Sequence, residues 1–135
     1  MYLGIDLGTS SLKALILADD GRIVAQQGAP LEVARPHPQW SEQSPADWWR
    51  ALALALGELA RTHAGALRAV RAIGLSGQMH GAVLLDAAGA VLRPAILWND
   101  GRSAPQCAEL AERVPRLAQI AGNLAMPGFT APKLL

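Results

Sequence analysis

Turn chemistry inside the first thirty residues limits what this chain can fold into more than any other feature of it. Residues 2–6 form a short apolar stretch that stops at Gly8, residues 12–18 form a second, nearly all aliphatic after Lys13, and residues 22–27 form a third. Between the second and third stands Asp19-Asp20-Gly21, where glycine accepts the positive φ that a tight hairpin requires. Three extended runs joined this closely fold back on one another, so the spacing predicts an antiparallel meander. A second hairpin is predicted at Asp86-Ala87-Ala88-Gly89, between the apolar residues 82–85 and 91–92. Residues 15–24 and 83–92 share this strand–acidic turn–strand layout, an echo too short to make a repeat.

Other elements follow from capping and periodicity. Residues 29–43 hold three prolines and no usable period, which reads as a loop. Ser44-Pro45-Ala46-Asp47 then starts a helix, with Ser44 as cap, Pro45 at the first helical position and Asp47 where a capping box places an acid. That helix is predicted to run to about Thr62 with Gly65 as terminator, and Trp48, Leu52, Leu56 and Leu59 share its core-facing side. A strand is expected over 70–76, an apolar run over 95–97 and a helix over 103–113, bounded by Pro115. Residues 130–135 read as a capped helix start that the chain does not continue. Hairpins first and helices later indicate an α/β domain layered around a mixed sheet.

Composition narrows the function classes. With 135 residues, 51% hydrophobic and 17% charged, the chain is long enough for one domain with a real core. Its net charge of +1 and scattered basic residues argue against a nucleic-acid groove or a polybasic membrane patch. Residues 1–6 lack the basic start and apolar stretch of a signal peptide, and no apolar run approaches the ~20 residues that span a bilayer. One cysteine, Cys107, excludes an internal disulfide framework, so a soluble, cytoplasmic chain is expected.

Three segments carry candidate chemistry. Asp6-Leu7-Gly8-Thr9-Ser10-Ser11 puts a carboxylate at a strand end before a tight turn of hydroxyl residues. Such a turn suits a phosphate site built from backbone N–H groups and hydroxyls at Gly8, Thr9, Ser10 and Ser11, with Lys13 adding positive charge. Asp6 would hold Mg²⁺ through water, since that ion prefers oxygen ligands and keeps several waters. On spacing alone, a hairpin turn of small polar residues explains the same string. No P-loop and no dinucleotide-binding glycine motif competes. Gln78-Met79-His80 follows a strand and is bracketed by Gly77 and Gly81. Gln78 and His80 are suited to hydrogen-bonding sugar hydroxyls and Met79 to packing on a carbon skeleton, although a satisfied loop histidine is the plainer reading. Trp98-Asn99-Asp100 repeats the arrangement at another strand end. His37 and His63 have adequate structural roles, in a proline-flanked loop and at a helix C-terminus. Trp40-Ser41-Glu42-Gln43 either lines a cleft or anchors the long loop.

Taken in order, these segments are more specific than any one of them. Gly4-Ile5-Asp6-Leu7-Gly8-Thr9-Ser10 resembles the first phosphate motif of the actin, Hsp70 and hexokinase superfamily. Residues 35–43, Gly77-Gln78-Met79-His80-Gly81, Leu97-Trp98-Asn99-Asp100-Gly101-Arg102, Gly122-Asn123 and residues 126–133 follow as they do in the xylulokinase branch of the carbohydrate-kinase family. Glycerol kinases typically carry Gln-Arg-Glu where this chain has Gln78-Met79-His80.

The resemblance implies an actin-like (ribonuclease H-like) α/β fold and ATP-dependent phosphorylation of D-xylulose on its 5-hydroxyl. It makes Met79 and His80 sugar contacts, Asp6 the activity-critical acid near phosphates and metal, and Asn99 and Asp100 lesser cleft residues. It further implies that residues 1–135 are the amino-terminal part of the sugar-binding domain. The general base and the ATP domain are expected beyond them, and the whole enzyme is a possible homodimer. The Hsp70 alternative shares Asp6-Leu7-Gly8-Thr9 but not Gln78-Met79-His80. A sugar-sensing repressor needs a basic or helix-turn-helix segment that is not legible here, and within the enzyme class another pentulose or polyol kinase is the runner-up.

Overall fold

The computed structural model describes residues 1–135, which divide into two compact units: residues 1–32 with 46–78, and residues 33–45 with 79–135. No helix is long and apolar enough to cross a membrane.

The first unit is the predicted meander with one helix and one further strand. β1 (Tyr2–Leu7), β2 (Ser11–Leu17) and β3 (Ile23–Pro30) pair antiparallel in sequence. α1 (Pro45–Arg68) then returns the chain so that β5 (Ala72–Gly77) lies parallel to β1, giving a mixed sheet of order β3-β2-β1-β5. Alternation sorts the sheet into two faces. Leu3, Leu12, Ala14, Ile16, Ala25 and Ala29 are buried in one cluster with Ala51, Ala55 and Leu59 of α1. Trp48, Leu52 and Leu56 flank that contact and remain partly exposed. The predicted face of α1 is therefore the right one, with Leu59 fully buried and two alanines beside it that let the helix backbone approach the sheet. Fully burying a side chain such as Leu59 is worth about 1.5–3 kcal/mol.

The first stretch of α1 ends at about Thr62, as expected, but Gly65 does not terminate it, because a second helical stretch follows directly. The break is at His63, whose φ of −135° and ψ of 41° lie outside the helical region, and the second stretch reaches Arg68. The Thr62 hydroxyl donates to the Glu58 carbonyl at 2.7 Å, the back-bonding that bends helices. Beyond the kink, Ala66, Leu67 and Val70 still pack against the core, which explains why the chain stays helical. β5 forms one sheet edge, and its Ile73 and Leu75 are largely exposed.

In the second unit the expected loop over 29–43 is partly ordered into a sheet. β4 (Glu42–Gln43) pairs antiparallel with β6 (Ala95–Ile96), and single bridges join Ala34 to Glu42 and Ala82 to Ile96. Prolines mislead here because these strands are only two residues long and offer no periodicity. The 86–89 hairpin is present but held by the bridge Leu85–Val91 instead of full strands. Its turn has Gly89 at φ +81°, and the Asp86 carboxylate accepts from the amides of Ala88 and Ala90. α2 (Ala104–Arg113) matches its prediction. α3 (Leu117–Ala121), closed by Gly122 at φ +65°, was not anticipated, and residues 131–134 form one 3₁₀ turn.

Candidate functional site

The β1–β2 turn is shaped by its glycine. The Gly8 amide donates to the Ser11 carbonyl at 3.1 Å, and a Cβ on Gly8 would stand 3.0 Å from that oxygen. The amide closes the turn instead of pointing at an anion, so Gly8 contributes shape, and an anion would have to be held by the rest of the turn. Ser10 is exposed, Thr9 and Ser11 are half-buried, and the Ser10 carbonyl accepts from Leu31 at 2.9 Å. The Thr9 hydroxyl donates to the Gln78 side-chain oxygen at 3.1 Å, and the Gln78 amide donates to the Leu7 carbonyl at 2.8 Å. Gln78 thus ties the turn to the end of β5, a role its sequence context did not suggest.

Asp6 and Lys13 are directly opposed across β1 and β2, and Ser76 is opposed to Asp6 on the other side. Opposed residues share a sheet face with Cβ atoms about 4.5–5.5 Å apart in antiparallel pairs. Lys13, Asp6 and Ser76 therefore form a polar row across three strands, on the face away from α1. They line a groove of about 430 Å³ with Gly4, Gly74 and Gln26. Ser76 was missed because nothing in the sequence reveals its parallel pairing with Asp6. The paired glycines Gly4 and Gly74, which keep the groove open, are the signal that was available. No group of three or more His, Cys, Asp or Glu residues stands together as a ready-made metal site. A lone Asp6 fits an ion held mainly by water and phosphate oxygens, which is how Mg²⁺ is commonly bound.

The second unit collects Met79, His80, Asn99 and Asp100. Met79, His80 and Asn99 are exposed. His80 has φ +62°, an uncommon value for a residue with a Cβ. Its ring stacks on Phe129 with centroids 4.3 Å apart and planes 28° apart. Its carbonyl accepts from Lys133 Nζ at 2.8 Å and from the Thr130 hydroxyl at 3.4 Å. Lys133 Nζ also donates to the Gly128 carbonyl at 2.7 Å. Burial pushes the Lys133 ammonium below its usual pKa against the opposing charge of Asp100, with Arg102 adding to the depression. Phe129, Thr130 and Lys133 received no individual role from the sequence, since they lie about fifty residues from His80.

Asp100, a cleft candidate from the sequence, has its carboxylate buried and paired. It is 2% exposed, and both carboxylate oxygens accept from Arg102 at 2.6–3.0 Å while one also accepts from the Ser41 amide at 2.6 Å. Arg102 reaches on to Glu42 at 2.6 Å and lies over the Trp40 ring, 3.5 Å from its centroid. His37 meets the same ring edge-on at 4.5 Å. Burial raises the Asp100 pKa, but the Arg102 hydrogen bonds, the Ser41 and Arg102 amides and the Arg102 charge outweigh it and hold the carboxyl below its ordinary value. The Arg102 guanidinium is pushed down by burial and more than restored by Asp100 and Glu42. A carboxylate so occupied is poorly placed to take a proton from a substrate; it fixes the strand end that presents Trp98 and Asn99. Trp40 is accordingly the anchor of residues 35–43.

Known proteins resemble this chain over its whole length. The profile of the FGGY family of carbohydrate kinases, N-terminal domain, matches residues 1–135. The chain is 58% identical over 135 residues to the xylulose kinase of Escherichia coli K12, covering 100% of this chain and 28% of that protein. Among solved structures, a "xyloylose kinase" from Brucella ovis superimposes with TM-score 0.95 at 53% identity, covering 98% of this chain and 28% of the other. The xylulose kinase of Rhodospirillum rubrum gives TM-score 0.91 at 36% identity, again covering 98% and 28%. The chain thus spans little more than a quarter of the relatives it matches.

Proposed function

The chain belongs to the FGGY family of carbohydrate kinases, and from that premise we propose that it forms the sugar-contacting part of an ATP-dependent kinase phosphorylating D-xylulose on its 5-hydroxyl. The observation that carries the substrate is the 58% identity, across all 135 residues, to a protein named xylulose kinase. Phosphoryl transfer asks a protein chiefly for positioning and for charge placed where negative charge spreads in the transition state. Asp6 supplies a carboxylate at a strand end for that purpose. Thr9, Ser10 and Ser11 supply hydroxyls toward the nucleotide phosphates, Lys13 supplies positive charge, and Gly8 shapes the turn that carries them. A bound Mg²⁺ would neutralise phosphate charge, and Asp6 is the residue that would hold it, through water. Met79 and His80 contact the sugar, Gln78 anchors the segment that presents them, and Asn99 is a further polar contact. Asp100 acts through the position of that strand end. The single cysteine suits a cytoplasmic enzyme.

The full-length kinase should phosphorylate D-xylulose in preference to glycerol, L-ribulose and gluconate. A coupled ADP-release assay over that panel tests the reading, and faster turnover of glycerol than of xylulose overturns it.

A further inference from the structure

His80 holds a left-handed backbone conformation, and such conformations persist only where the surroundings over-determine them. Three contacts do so here: the Phe129 ring, the Thr130 hydroxyl and the Lys133 ammonium. Of these, Lys133 alone brings a charge, and it alone fastens two segments, since it donates both to the His80 carbonyl and to the Gly128 carbonyl. Gly128 lies directly against the Trp98 backbone, where a Cβ would collide with the carbonyl oxygen. Releasing the lysine would leave the His80 peptide free to relax toward ordinary φ values and carry the imidazole off the Phe129 face.

We propose that Lys133 is a positioning residue for sugar recognition, clamping the His80 carbonyl against the Gly128 turn so that the imidazole is presented in its strained conformation. This rests on the reading of His80 as a sugar contact. Lys133 determines the affinity for the sugar and leaves the phosphoryl-transfer step alone.

Lys133→Met keeps the aliphatic stem and removes the donors. In the full-length kinase it should raise the KM for xylulose about 10-fold, the scale of one charge-assisted hydrogen bond. The KM for ATP and kcat should stay within about two-fold, since neither involves the clamp. Lys133→Arg, which still donates to carbonyls, should recover most of the loss. In a His80→Ala background, Lys133→Met should add little, because a residue acting through His80 loses its effect when the imidazole is gone. Should Lys133→Met not fold, Lys133→Gln is read against the same expectations. An unchanged xylulose KM, an equal rise in the ATP KM, or full multiplicative loss in the His80→Ala background would each overturn the proposal. Failure of the wild-type enzyme to use xylulose would instead count against the assignment of the sugar, so the two failures are distinguishable.

Discussion

The Asp6 turn and the His80 loop are both short, glycine-flanked segments at strand ends, yet only the first is also closed by a bond within itself. The Asp6 turn is closed by its own backbone, with Gly8 bonded to Ser11 three residues on, and is tied to neighbouring strand ends by Leu31 on Ser10, Gln78 on Leu7 and Thr9 on Gln78. The His80 loop is held almost wholly from a distance, by Phe129, Thr130 and Lys133. A locally closed turn keeps its shape wherever its two strands pair. A loop braced from fifty residues away keeps its shape only when the intervening chain is in place. The first kind suits charge that must be fixed for a transition state; the second suits recognition, where position can be adjusted by distant substitutions.

The largest expected effect concerns both regions at once. The 135-residue polypeptide alone should release no ADP when purified and mixed with ATP, Mg²⁺ and xylulose, although both regions are present in it. Transfer needs a base against the attacking hydroxyl and a nucleotide held in line. Of the eleven acids, Asp6 is the one proposed for metal and phosphate, and Asp100 is saturated by Arg102 and Ser41. Turnover that vanishes with Asp100→Asn would break this account and make Asp100 the base.

Asp100→Asn should next cost about 1–3 kcal/mol in urea unfolding, because it removes the carboxylate charge facing Arg102 while Glu42 still pairs with that guanidinium. The acid dependence has a definite sign. A carboxyl held below its ordinary 3.8 contributes its stability in full above that value and loses it as pH falls through the lowered one. Wild-type stability should therefore fall more steeply than that of Asp100→Asn below about pH 4. Parallel curves would mean that the pair carries no such weight.

Asp6→Asn in the full-length kinase should lower kcat by about 100-fold or more while leaving the xylulose KM within a few-fold, as expected for charge that matters in the transition state. A kcat near wild type would remove the phosphate assignment from the β1–β2 turn. The smallest effect is that of His80→Ala, a rise in xylulose KM of about 10-fold, corresponding to one hydrogen bond of about 1–1.5 kcal/mol. An equal loss in kcat would erase the contrast between the two regions.

Much of the fold was legible in the sequence, for reasons that individual elements make plain. The meander follows from Asp19-Asp20-Gly21 and three aliphatic runs, and Gly21 does adopt φ +85°. The packed face of α1 follows from the spacing of Trp48, Leu52, Leu56 and Leu59. What failed was whatever lacked a period or a local signal. β4 and β6 are two residues each, and the helical stretch that follows the break at His63 has no signal of its own in the sequence. The candidate site divides the same way: Asp6, Met79 and His80 stand out as residue types in context, whereas Ser76, Phe129 and Lys133 do not.

The sequence by itself determined the turns, the strand alternation and the helix face, because each depends on residues within about one turn or one hairpin of one another. Only the tertiary structure decided what Asp100 and His80 do. Asp100 becomes a buried strut when Ser41, 59 residues earlier, returns to its side, and Arg102 reaches Glu42 across 60 residues. His80 is held at positive φ when Lys133, 53 residues later, reaches its carbonyl. Contacts of that span exist only after the chain has closed its loops, and the residues that make them carry no mark of it in the sequence.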